Sequence, residues 1–118
     1  MSVIIGVDPG SRRCGIGILH VENSRIIAAG YDIIKLDKIC KLEDKLLFMG
    51  ASLEKICEEY KPTVAAVEAI FYGKNIQSAF TLGEARGVIL YTLAHQHIPI
   101  FSFSPREIKQ SVTGKGNA

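Results

Sequence analysis

The stretch VIIGVDPGSRRCGIGIL, residues 3–19, places one carboxylate between two apolar runs. Residues 3–7 are continuously apolar, which is typical of a strand buried on both faces. A Pro-Gly pair then provides turn chemistry, and residues 14–21 alternate small and large apolar side chains as a second strand does. Asp8 therefore stands at the end of a buried strand. There it can form the turn, belong to a phosphate-binding loop or bind a metal ion.

After this pair of strands, the sequence alternates between strand and helix patterns. In one segment apolar residues recur at spacings of three and four, which indicates an amphipathic helix, and a Lys-Pro pair ends it. The predicted elements are strands at 25–36, 63–68 and 99–103, helices at about 39–60 and 75–96, and a capped helix at 104–112. The order is βββαβαβα, with a hairpin or meander first and with strands one, four and five parallel. We therefore expect one α/β domain, residues 1–118, built on a five-stranded mixed sheet.

The composition is that of an ordinary globular domain. Of the 118 residues, 47% are hydrophobic and 22% are charged, which supports a packed core and argues against disorder. No apolar run reaches the length of a membrane span, about 20 residues, and the N-terminus lacks the pattern of a secretory signal. Cys14, Cys40 and Cys57 are odd in number and lack CxxC spacing. They predict reduced, mostly buried thiols in a cytoplasmic protein without a zinc site.

Positive charge is concentrated in two places, although the net charge of +2 is too small to indicate nucleic-acid binding by itself. Ser11, Arg12 and Arg13 follow directly after the Asp8 turn. Between residues 106 and 118, three basic residues accompany one acid. Charge alone favours an ordinary solvated surface for both groups.

Glu68 repeats the situation of Asp8, because each carboxylate closes an apolar strand and precedes a loop. If the first and fourth strands are parallel neighbours, about 4.8 Å apart, both carboxylates emerge at the C-terminal edge of the sheet, where open α/β sheets bind ligands. Two carboxylates so close repel each other unless a cation or proton lies between them. Oxygen ligands favour Mg²⁺ or Mn²⁺, which suit phosphoryl transfer. Each acid alone is better explained as a cap, but the pair favours a metal site.

An aromatic and basic loop follows Glu68 directly. The loop contains Phe71, Tyr72, Lys74 and Asn75. Aromatic side chains at a sheet edge can stack on bases or wedge between them, and a lysine can contact phosphate. The alternative is that the two aromatic residues only anchor the loop. Lys109 and Lys115 lie beyond the fifth strand, from which they can reach the same edge.

Three segments resemble the RuvC family of bacterial Holliday-junction resolvases in their order and spacing. They are IIGVDPGSRRCGIGI (4–18), VAAVEAIFYGKNIQSAFTLGEARGVIL (64–90) and FSPREIKQSVTGKGNA (103–118). The first is weakly specific, because other ribonuclease H-like proteins and actin-like ATPases begin similarly, whereas the second is far more specific. The resemblance spans the chain and implies a ribonuclease H-like fold. It also implies a crossover junction endodeoxyribonuclease that nicks four-way DNA junctions symmetrically, with a metal ion, in recombination and repair.

The resemblance further implies roles for individual residues. Asp8 and Glu68 match the family's first two metal-binding carboxylates, and Lys109 matches a lysine needed for cleavage. Phe71 matches the aromatic residue that interacts with bases at the junction centre, and residues 74–75 match the polar loop beside it. The family acts as a homodimer with Mg²⁺, and its partners are a junction-binding protein and a branch-migration motor.

The sequence also departs from the family pattern. The family's fold continues with a helix that carries two metal-binding aspartates, and a further catalytic lysine follows shortly after a motif like GKGNA. In these 118 residues no acid follows Glu107, so half of the metal ligands are present. We therefore expect a C-terminally truncated ribonuclease H-like resolvase that keeps the fold but does not cleave DNA by itself.

Three other functions are alternatives to a junction resolvase. A non-catalytic junction-binding or dimerising module is compatible with a truncated chain. In that case Ala79, Gly83 and Gly87 on the second helix form either a contact ridge or a surface that packs on the sheet. A resolvase-like nuclease acting on RNA would share the first motif but not the second. An actin-like ATPase needs a second phosphate loop and an adenosine pocket, and neither is recognisable in this sequence.

Overall fold

The computed structural model describes residues 1–69 and 75–104. The elements in chain order are β1 (Ser2–Asp8), β2 (Arg13–Glu22), β3 (Arg25–Lys35), α1 (Leu42–Tyr60), β4 (Val64–Glu68), α2 (Ile76–His95) and β5 (Ile100–Phe103). This order confirms the sequence prediction as far as β5. The helix expected at 104–112 falls almost wholly outside the described residues. Neither described helix is long and apolar enough to cross a membrane.

The five strands form one mixed sheet in the order β3-β2-β1-β4-β5. β1 pairs antiparallel with β2, and β2 pairs antiparallel with β3, so the predicted meander is confirmed. β1 pairs parallel with β4, and β4 pairs parallel with β5, each after a crossover that contains one helix. Because β1 lies at the junction of the antiparallel and parallel parts, its C-terminal end is flanked by both β2 and β4.

One face of the sheet carries the hydrophobic core. Along β1, fully buried side chains alternate with partly exposed ones, as the period of two in a strand requires. The core cluster joins this face to α1 and α2, and its largest fully buried members include Ile5, Ile16, Leu53, Ile89 and Leu93. The prediction that the first strand is buried on both faces is wrong for the described residues, since its second face is only half-buried or exposed.

α1 and α2 approach each other closely at Gly50. A Cβ atom at this position would lie 3.3 Å from Cγ1 of Val88 and 3.6 Å from Oγ1 of Thr92. A larger residue at position 50 would therefore push α2 away, and the glycine sets how tightly the two helices cover the sheet. The helix pair in turn holds the two crossover strands, β4 and β5, in place.

The ends of α1 show what the apolar pattern did and did not predict. The helix begins at Leu42, three residues later than the predicted start, because Ile39 instead donates a hydrogen bond to the Leu36 carbonyl at 3.1 Å in a turn. Its end is as predicted. Lys61 takes a left-handed conformation with φ of 49° and donates to the Cys57 carbonyl at 2.8 Å, and a proline follows.

The cysteines are free thiols in the described structure, as predicted. Cys14 and Cys57 are buried, whereas Cys40 is exposed. Burial raises the pKa of the Cys14 thiol to about 12, and the negative charge of Asp8 adds to this effect. The thiol therefore stays protonated next to the candidate site and acts as a small core residue.

Candidate active site

The two predicted carboxylates meet at one edge of the sheet. Val7 and Val67 are paired in the parallel β1–β4 ladder, and both side chains are fully buried on the core face. The next residue of each strand is therefore directed to the opposite face, which places Asp8 and Glu68 side by side. The predicted juxtaposition of these acids is confirmed, and it follows from the register of β1 and β4.

The carboxylates of Asp8 and Glu68 are close enough to share a proton. The pKa of Glu68 is raised to about 7, first by a side-chain hydrogen bond with Asp8 and then by burial and the negative charge of Asp8. Protonated Glu68 donates this hydrogen bond, and the carboxylate of Asp8 accepts it. Near neutral pH Glu68 therefore gains and loses this proton readily, at a place where a cation can also relieve the repulsion between the two acids.

The donor set of this pair fits a hard divalent cation. Carboxylate oxygens are ligands that Mg²⁺ and Mn²⁺ accept, and the unfavourable proximity of the two acids is relieved by a positive charge. Within residues 1–69 and 75–104, no group of three or more His, Cys, Asp or Glu side chains could hold a metal ion. In this part of the chain, Asp8 and Glu68 therefore offer two protein ligands to such an ion.

Arg86 of α2 supports the strand end that carries Glu68. Its Nε donates to the backbone carbonyl of Glu68 at 3.1 Å, and its Nη2 donates to Oγ of Ser102 at 2.7 Å. One guanidinium group thus joins the ends of β4 and β5. Arg86 was not among the predicted site residues, although it lies in the second segment that resembles the family, residues 64–90.

Arg86→Gln is expected to reduce the free energy of unfolding by about 1 kcal/mol, because hydrogen bonds from a charged donor to the ends of two strands are lost. It should also weaken the binding of Ca²⁺ to the carboxylate pair, since the end of β4 is no longer fixed. Urea unfolding and calorimetric Ca²⁺ titration measure the two effects. Arg25→Gln, at an exposed position in β3, is the control. Equal values for both variants would contradict this role.

A recess lies beside the Asp8 turn. It has a volume of about 600 Å³ and is lined by Gly10, Ser11, Arg12, Arg13, Asp37 and Leu82. A Cβ atom at residue 10 would collide with the carbonyl oxygen of Arg13, so the tight turn requires glycine there. The carbonyl of Arg12 accepts a hydrogen bond from the Leu36 amide at 2.9 Å. The predicted DNA-binding residues 11–13 all line this recess. Arg12 and Arg13 bring two positive charges to it, and Asp37 brings one negative charge.

The other predicted site residues divide into two groups. Asn75 lies at the N-terminus of α2, where its side chain accepts a hydrogen bond from the Ser78 amide at 3.1 Å. This capping role was not predicted, although asparagine is a preferred N-cap residue. The remaining predicted residues, Phe71, Tyr72, Lys74, Lys109 and Lys115, lie outside the described residues.

Comparison with known proteins identifies the family. A model of the crossover junction endodeoxyribonuclease RuvC family matches residues 4–118. A protein of that name from Petrotoga mobilis is 41% identical over 98% of this chain and 71% of its own length. One from Cytophaga hutchinsonii is 38% identical over 98% of this chain and 58% of its own length.

A solved structure agrees with the predicted ribonuclease H-like architecture. The structure of Thermus thermophilus RuvC with a Holliday junction substrate superposes with a TM-score of 0.86. It covers 100% of this chain and 72% of the Thermus chain, at 23% identity. At this identity the likeness shows the common fold, and the family assignment rests on the sequence matches above. From these sequence matches and this fold, the chain belongs to the crossover junction endodeoxyribonuclease RuvC family.

Proposed function

We propose that this chain binds four-way DNA junctions as a crossover junction endodeoxyribonuclease of recombination and repair. The single observation that carries the proposal is the pair formed by Asp8 and Glu68 at the C-terminal edge of β1 and β4. The pair combines with family membership over residues 4–118, and with relatives whose names describe that activity. The alternatives in RNA cleavage and ATP hydrolysis receive no support from these matches.

Asp8 and Glu68 are the residues that we propose to hold Mg²⁺, with Mn²⁺ as a substitute. When bound, the ion supplies positive charge at the scissile phosphate and a site for the attacking water. The chain's own contribution is to bring two carboxylates together and to keep them apart from the core. Arg86 fixes the strand end behind Glu68, so that the two acids keep one geometry.

We infer a path for the DNA backbone from the recess beside Asp8. Arg12 and Arg13 are exposed there, and guanidinium groups bind phosphate with two parallel hydrogen bonds. Ser11 adds a hydroxyl donor there. From the sequence alone, we also propose that Lys115 contacts the DNA. We also propose, from the sequence alone, that the loop residues contact the junction centre and that Lys109 assists cleavage. The loop residues are Phe71, Tyr72, Lys74 and Asn75.

We also propose a homodimer, because two-fold symmetry in the protein would mirror the symmetry of a four-way junction. α2 exposes Ile76, Phe80 and Tyr91, and a Cβ atom at Gly87 would meet no atom within 4 Å. This open face is compatible with a contact between copies, rather than with packing on the sheet. A junction-binding protein and a branch-migration motor are the proposed partners, and the free cysteines fit a reducing cytoplasm.

Cleavage by these 118 residues alone is expected to be slow or absent. Two carboxylates hold a cation less firmly than a fuller ligand set, and phosphoryl transfer requires the geometry to be fixed closely. The chain is therefore expected to bind junctions better than it cuts them, which makes a non-catalytic binding module the second candidate function.

The test compares a synthetic four-way junction with a linear duplex of the same sequence. We expect tighter binding of the junction, and nicking in Mg²⁺ that is at least about 100-fold slower than that of the Petrotoga mobilis relative. Asp8→Asn should abolish any residual nicking, whereas Asp44→Asn, exposed on α1, should not change it. Equal affinity for junction and duplex would overturn the proposed function. Rapid symmetric nicking would overturn the expected inactivity.

A further inference from the structure

Tyr31 of β3 extends across the open face of the sheet toward Asp8. Tyr31 pairs with Gly17 of β2. Gly15, which is also in β2, pairs with Asp8 of β1. The hydroxyl oxygen of Tyr31 lies 3.0 Å, and its Cε1 lies 3.8 Å, from the position that a Cβ atom on Gly15 would occupy. The Cβ of Asp8 lies 3.6 Å from the same position. The phenol and the Asp8 side chain thus flank one glycine from its two sides.

This arrangement requires that position 15 carries no side chain. Because Gly15 has no side chain, the phenol ring of Tyr31 lies over Gly15, diagonally across the sheet, and not over its ladder partner Gly17. A Cβ atom at Gly17 would meet nothing within 4 Å, so the ring is displaced toward the carboxylates and not centred on its ladder neighbour. This orientation of the side chain brings the hydroxyl of Tyr31 to the Asp8 side of the carboxylate pair.

The phenol of Tyr31 is available to a ligand. The residue is 74% exposed, and no hydrogen bond within residues 1–69 and 75–104 involves its hydroxyl. A packed core tyrosine would be covered and its hydroxyl satisfied. Here an uncharged donor lies beside Asp8, on the face of the sheet to which the carboxylate pair is directed. A neutral donor can bind a phosphate oxygen there without adding a fixed charge to the cation site.

We propose that Tyr31 is a substrate-positioning residue whose hydroxyl donates a hydrogen bond to a phosphate oxygen of the DNA strand held at Asp8 and Glu68. The inference rests on the proposed function and adds a residue to its substrate contacts. It also gives Gly15 a role, since any side chain at that position would displace the phenol from the rim of the site.

The test measures junction affinity of the 118-residue chain and of its Tyr31→Phe variant in Ca²⁺, the probe cation for the carboxylate pair, and again in EDTA. We expect Tyr31→Phe to weaken binding about tenfold in Ca²⁺, as the loss of one hydrogen bond to a charged acceptor predicts. In EDTA the paired acids keep phosphate away, so the two proteins should bind alike. Tyr60→Phe, an exposed tyrosine at the end of α1, is the matched control and should match the unchanged chain in both buffers.

Each outcome decides the role of Tyr31. Equal affinity of Tyr31→Phe and the unchanged chain in Ca²⁺ would overturn the proposal, and so would an equal loss in Ca²⁺ and EDTA, since the contact would then lie away from the carboxylates. The melting temperature of Tyr31→Phe should equal that of the unchanged chain, because the residue is exposed. If the unchanged chain itself fails to prefer a junction to a duplex, the proposed function fails. If only the Tyr31 difference is missing, the inference alone fails.

Discussion

Glu68→Gln is expected to stabilise the cation-free fold by about 2 kcal/mol at pH 8 and to leave its stability nearly unchanged at pH 5. The pKa of Glu68 is raised to about 7, chiefly by its hydrogen bond with Asp8, so at pH 8 the fold must keep two charged acids in contact. A neutral amide of the same shape removes this repulsion. In a fully buried group, a pKa shift of this size would correspond to a larger change in the free energy of unfolding. Glu68 is only half-buried, so screening by solvent reduces the effect.

The sign of the pH dependence follows from which state binds the proton more tightly. In the unfolded chain the glutamate has its ordinary pKa of 4.5, whereas in the fold it is about 7. The folded state therefore binds the proton more tightly, so the contribution of Glu68 to the free energy of unfolding is fully present below pH 4.5 and is lost as the pH rises to about 7. We expect a divalent cation to replace the proton, so Ca²⁺ should stabilise the unchanged chain at pH 8 but not the Glu68→Gln variant.

Urea unfolding between pH 5 and pH 8, in EDTA and in Ca²⁺, measures these effects. Glu59→Gln, at an exposed position near the end of α1, removes a negative charge at a distance from the site and is the control. The difference between each variant and the unchanged chain cancels the titration of all other acids. A Glu68→Gln variant with no gain at pH 8, or with the same Ca²⁺ response as the unchanged chain, would contradict the shared-proton pair.

The topology was predictable because its signals are local or follow from general rules. A continuous apolar run marks β1, and alternation of small and large apolar residues marks β2. A short polar turn at 22–24 marks the hairpin that follows, and a helix between two strands implies a parallel crossover. The start of α1 was less predictable, because Lys41 at its N-cap provides no side-chain hydrogen bond that would mark the first turn. The apolar periodicity extends past the residue at which the helix begins.

The carboxylate pair was predictable for a different reason. Asp8 and Glu68 each end a strand, and strand ends meet wherever strands are parallel neighbours, so two local patterns and one topological rule bring them together. Arg86 and Tyr31 could not be found in this way. Arg86 acts on a backbone carbonyl 18 residues away, and Tyr31 reaches its position only through the register of two ladders and the missing side chain at Gly15.

Leu53→Ala is expected to reduce the free energy of unfolding by about 3 kcal/mol, a large share of the 5–15 kcal/mol that stabilises an ordinary domain. Leu53 is fully buried and belongs to the core cluster that joins α1 to the sheet, together with Ile5 and Ile89. Its removal loses apolar burial and leaves a cavity, because close approach of the helices at Gly50 limits how far they can collapse.

Leu47→Ala is the matched control, because it makes the same chemical change in the same helix at a side chain that is 73% exposed. Its effect on the free energy of unfolding should be within about 0.5 kcal/mol, as for most surface substitutions. Both variants should show equal helix content by circular dichroism before unfolding. Comparable losses for the two would mean that α1 does not pack on the sheet through Leu53. In that case, packing of α1 on the sheet could not explain why β4 lies next to β1, and hence why Glu68 lies beside Asp8.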